Sequence, residues 1–69
     1  MINHTQRAHA AISAALHYIT DAYYTDAKVC LRRAASHAAK ITDPIVQENT
    51  WVRLSRVECD LLEAEFVYG

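Results

Sequence analysis

Apolar positions recur along this chain with a helical period. Between residues 5 and 20, Ala8, Ala11, Ile12, Ala15, Leu16, Tyr18 and Ile19 fill one broad arc of a helical wheel, with Gln6, His9, Ser13, His17 and Thr20 opposite. From Tyr24 onward a second set shares an arc: Tyr24, Ala27, Cys30, Leu31, Ala34, Ala35, Ala38 and Ile41. Lys28, Arg32, Arg33, Ser36 and Lys40 lie across from it. A third set, Thr50, Leu54, Val57, Leu61, Ala64 and Tyr68, steps alternately by four and three, as a heptad seam does. No alternating run between turn signals suggests a strand. The pattern predicts a single all-α domain over residues 1–69, built from antiparallel helices at 5–20, 22–41 and 44–67.

The boundaries differ in how strongly they are marked. Ile41-Thr42-Asp43-Pro44 is explicit: Pro44 suits the first turn of a helix, and Asp43 can cap the free amides that follow it. Upstream, Asn3 or Thr5 can cap the first helix. The middle boundary falls in YITDAYYTDA, residues 18–27, where a five-residue phrase is nearly repeated. Carried on one wheel through residue 41, the second apolar arc is rotated by roughly 100° from the first, whereas a smooth supercoil drifts only about 20° per heptad. That phase jump argues for a break near residues 20–24, with Thr20 or Asp21 capping the second helix. The absence of Gly and Pro between residues 5 and 43 argues instead for one unbroken first helix.

Residues 8–39 resemble a single tetratricopeptide-like hairpin, a helix–turn–helix unit in which small residues let two helices approach closely. The resemblance aligns Ala15 and Tyr18 with small and aromatic positions of the first helix. Tyr24, Ala27, Leu31 and Ala34 align with the aromatic, small, large and small positions of the second. Ala22 falls where the family often carries glycine at the turn, Ala11 where a tryptophan is common, and Ala39 where a proline is usual. With one copy present, the resemblance implies a hairpin packed in that style and not a peptide-binding repeat array. The short, alanine-rich helical style also resembles small accessory proteins encoded by bacteriophages.

Size then shapes the functional expectation. A chain of 69 residues is near the lower limit for a self-sufficient core. Two cysteines, Cys30 and Cys59, are too few for a disulfide framework, so the thiols are expected to stay reduced in a cytoplasmic protein. A homodimeric bundle is therefore the expected source of further burial. The last helix supplies a second apolar arc for it: Val52, Cys59, Leu62 and Phe66, with Trp51 beside them.

Charge is segregated although the net charge is only −1. Residues 28–40 carry Lys28, Arg32, Arg33 and Lys40 and no acid. Residues 58–65 carry Glu58, Asp60, Glu63 and Glu65 and no base. The acids are expected to pair in part with Arg53 and Arg56. The basic stripe, with Ser36, is a candidate face for nucleic acid or an acidic partner.

No catalytic constellation emerges. His4, His9, His17 and His37 have no i, i+4 spacing for a metal on one helix and are expected to be solvated. Ser13 and Ser36 lack a nucleophile context, and Cys30 falls on the core arc. The expectation is a non-enzymatic interaction or regulatory module without cofactor, membrane segment or small-molecule substrate. Its partners are expected to be a second copy and another protein, with nucleic-acid binding as the alternative.

Overall fold

The computed structural model describes residues 2–69 and contains three helices: α1 (His4–Thr20), α2 (Tyr24–Ala38) and α3 (Pro44–Tyr68). Each start follows local chemistry. Asn3 accepts a hydrogen bond from the Gln6 amide at 3.0 Å, capping α1. Asp43 Oδ1 accepts from the amides of Ile45 and Val46 at 2.9 and 3.2 Å, with Pro44 at the first helical position of α3. The second helix ends at Ala38, three residues before the expected Ile41. The Gln47 side chain takes over there, donating to the carbonyls of Ala38 and Ala39 at 3.0 and 3.4 Å. The Ala38 carbonyl also accepts from the Ile41 amide at 3.2 Å, so a backbone turn and α3 together close the end of α2.

The chain does break inside YITDAYYTDA, by a device that needs no glycine. The Tyr23 amide donates to the Tyr18 carbonyl at 2.8 Å and the Ala22 amide donates to Ile19 at 3.1 Å. This six-to-one and five-to-two pair is a Schellman closure, whose central residue adopts left-handed geometry. Here that residue is Ala22, at φ 64°. The Tyr18 and Tyr23 rings meet edge to face, 6.4 Å apart, across the two positions that usually make the apolar contact of this motif. The five-residue repeat thus places two tyrosines at the spacing the closure requires. Neither Thr20 nor Asp21 caps α2: the Thr20 hydroxyl donates back to Leu16 at 3.0 Å, and Asp21 ends α1. Helix α2 starts at Tyr24, its N-cap residue Tyr23 makes no side-chain cap, and Asp26 in its first turn complements the helix dipole.

α1 and α2 form a close antiparallel hairpin, and α3 lies across both. The core is thin. Ala8, Ile12 and Ala15 of α1 and Ala27, Leu31, Ala34 and Ala38 of α2 are buried, followed by Ile41. From α3, Thr50, Leu54, Val57 and Leu61 are buried, the first four members of its predicted seam. Ala64 is half-buried and Tyr68 is exposed. Thr50 is fully buried because its hydroxyl donates to the Val46 carbonyl at 2.8 Å. The overall extents are 38 × 20 × 13 Å, and α3, roughly 37 Å long at 1.5 Å per residue, sets the longest of them.

Two substitutions test this account. Ala22→Gly removes the left-handed penalty of an L-residue and should stabilise the fold by about 0.5–1 kcal/mol, read as a higher midpoint in urea. Leu54→Ala empties a fully buried position in a core with little to spare, and should cost about 3 kcal/mol in the same assay.

Candidate functional site

The residues expected to form an interface on α3 occupy one side of it and are exposed. Trp51 and Val52 are 37% and 46% exposed, and Leu62 and Phe66 are 66% and 91% exposed, with Cys59 also open to solvent. Glu48, Val52, Ser55, Cys59, Leu62 and Phe66 step by four and three, all on the surface. This outer seam runs two residues ahead of the buried one, which places it about 200° around the helix. α3 therefore presents apolar residues on opposite sides, only one of which the hairpin covers.

The basic stripe of α2 does not hold together as one surface. Lys28 pairs with Glu65 at 3.0 Å. Lys28 and Arg32 border a groove between α2 and α3 that has Glu58 on its other wall and Leu31 and Leu61 among its lining. The opposite charges of residues 28–40 and 58–65 thus meet in part within the molecule. Arg33 and Lys40 are turned roughly 100° away from Lys28 and Arg32 around the helix, and Ser36 lies between the two pairs. Among the described residues, Lys28–Glu65 is the one ion pair, so the expected pairing of the α3 acids with Arg53 and Arg56 does not form. Arg53 instead reaches α1: its guanidinium donates to His9 Nδ1 at 2.8 Å and to Ser13 Oγ at 3.1 Å.

Three of the four histidines tie helices together, contrary to the solvated role expected of them. His9 lies between Arg53 and Thr50, whose hydroxyl is 3.3 Å from Nε2. The Thr50 proton is committed to Val46, so Nε2–H donates to Thr50 while Nδ1 accepts from Arg53. His4 and His37 meet Nδ1 to Nδ1 at 2.9 Å, with ring centroids 5.2 Å apart. Such a contact needs one nitrogen carrying a proton and the other bare. His17 stays on the surface. Spacing along a single helix could not show these partners, because each lies on another helix.

Cys30 packs half-buried against the core, and Ser13 accepts from Arg53. Among the described residues no three of His, Cys, Asp and Glu converge on a common point, and no helix is long and apolar enough to cross a membrane.

The histidine pair does carry a pH response. Partial burial, then the charges of His4, Lys40 and Arg7, lower the pKa of His37 from its ordinary value of 6.5. A histidine whose pKa falls on folding resists protonation in the folded state. Its contribution is therefore intact above pH 6.5 and is lost as the pH drops through the lowered folded value. The thermal midpoint should decline on acidification below pH 6.5, and His37→Gln should flatten that decline.

Comparison with protein families, characterised proteins and solved structures finds no match for this chain. The tetratricopeptide-like pattern expected of residues 8–39 carries no family assignment.

Proposed function

We propose that this protein is a non-enzymatic interaction module that acts in the cytoplasm and docks through the outer face of α3, in the first place onto a second copy of itself. The observation that carries the proposal is the exposed heptad seam through Val52, Cys59, Leu62 and Phe66. A helix that packs on one side needs one seam, and α3 has two. Alternating four–three spacing is what a facing helix interlocks with.

The area argument points the same way. The accessible surface is 4909 Å², against about 4,400 Å² for a compact monomer of this mass. Phe66 and Tyr68, side chains of roughly 150–250 Å² each, leave most of that area in water. A stable interface removes about 800 Å² from each partner. Burial of the outer seam together with Trp51 would remove part of this chain's excess surface from water.

A second copy suits the seam because a two-fold axis near Val57 matches it to itself. In antiparallel register Val52 stands opposite Leu62 of the other copy, and Ser55 stands opposite Cys59. The resulting six-helix assembly buries the exposed apolar side of α3 and leaves the hairpin of each copy outward. A regulatory adaptor of this kind also fits the alanine-rich style shared with small bacteriophage accessory proteins.

Sedimentation of the pure protein should give a dimer, twice 7.8 kDa. Leu62→Asp with Phe66→Asp should give a monomer that keeps its helical circular dichroism, since both side chains lie outside the core. A wild-type chain that stays monomeric at high micromolar concentration refutes self-association.

A further inference from the structure

On the side of α2 away from the α3 groove, the fold joins Lys40 of the basic stripe to His37 and to residues of α1, in a cationic cluster that the proposed dimer does not use. His37 comes nine residues after Lys28, which places it about 180° around the helix from that ion-paired lysine. It meets His4 of α1 at 2.9 Å. Arg7 of α1 and Lys40 lie close enough for their charges to act on His37. Arg33 stands one turn back on the same side of α2. Among the described residues, none of Arg7, Arg33 and Lys40 has a carboxylate within 4.0 Å.

We infer that this cluster, His4, Arg7, His37 and Lys40, binds the phosphate backbone of a nucleic acid. Arginine and lysine donors without acid partners match phosphate oxygens, which accept and carry negative charge. A protein partner would be expected to anchor on exposed aromatic residues, and none belongs to the cluster. The exposed bulky apolar side chain beside the cluster is Ile2, a small wedge for a membrane surface, where anchoring helices bury several aromatic and aliphatic residues below the headgroups.

The histidine pair adds a proton linkage. A proton gained by His37 makes both of its ring nitrogens donors, so an N–H becomes available for a phosphate oxygen. In the free protein that state is opposed by partial burial and by the charges of His4, Lys40 and Arg7. The nearest acid on α3, Asp43, lines the same surface depression as His4 and Lys40, but its carboxylate is held by the Ile45 and Val46 amides. A bound phosphate supplies the missing counter-charge, so binding favours the protonated form of His37.

The test is fluorescence anisotropy of a short, labelled, mixed-sequence duplex DNA at low salt. Phosphate contacts by Arg7 and Lys40, the two permanent charges of the cluster, should give a slope of about −1.8 for log K against log salt. Arg7→Glu with Lys40→Glu should weaken binding at least tenfold and remove most of that slope, while circular dichroism stays unchanged. Arg32→Glu, on the α3 side of α2, should leave affinity within about twofold, which separates this cluster from the whole basic stripe. Wild-type binding should be tighter at pH 6 than at pH 8, and His37→Gln should remove that difference. Absence of binding at low salt, indifference to the Arg7 and Lys40 changes, or binding to anionic vesicles in place of DNA would each overturn the inference.

Discussion

The close approach of α1 and α2 is the constraint on which the rest of this structure depends. Ala8, Ala15, Ala27, Ala34 and Ala38 are all buried, and a wall of alanines lets two backbones come together where larger side chains would hold them apart. The cost is volume. Alanine buries little apolar area, so a hairpin built this way has a small hydrophobic contribution and must be covered by something larger. Helix α3 supplies Leu54, Val57 and Leu61 for that purpose, against Ile12 and Leu31.

The same thinness explains where the polar groups go. With few bulky contacts to orient the third helix, its position relies on specific hydrogen bonds at both ends. Gln47 closes the carbonyl end of α2, Arg53 and Thr50 grip α1 through His9 and Ser13, and Lys28 meets Glu65 at the start of α2. The Lys28–Glu65 pair is solvent-exposed and contributes little. The Arg53–His9–Thr50 chain is partly buried, where a lost partner leaves an unpaired polar group at greater cost. A small core tied by polar contacts is also one whose outer surface stays apolar, and that is the condition of the outward side of α3.

Much of this was legible in the chain. Asp43 and Pro44 marked the start of α3 because capping and proline geometry are local. The inward seam from Thr50 to Leu61 was legible because burial of one helix side repeats at a period the sequence carries. The break between α1 and α2 appeared as a phase jump, although its mechanism did not. A left-handed alanine leaves no compositional trace, and Thr20 and Asp21 looked like a cap because such residues usually are one. Tyr68 was assigned to the seam by spacing, yet it lies exposed at the very end of α3, where the pattern runs past the surface it packs against.

What the sequence by itself determined is the set of local outcomes: three helices, two of their caps, the inward side of each, and the segregation of charge. These follow from interactions within about one or two turns, which the order of residues specifies directly. The tertiary structure decided which side chains meet across helices. It put His4 against His37, set Arg53 on His9 and not on the acids of its own helix, and split one basic stripe into a part that meets Glu65 and a part that joins Arg7. Those pairings depend on the crossing of α3 over the hairpin and on the register of α1 against α2. Both are set by packing of the whole core, so no window along the chain contains them.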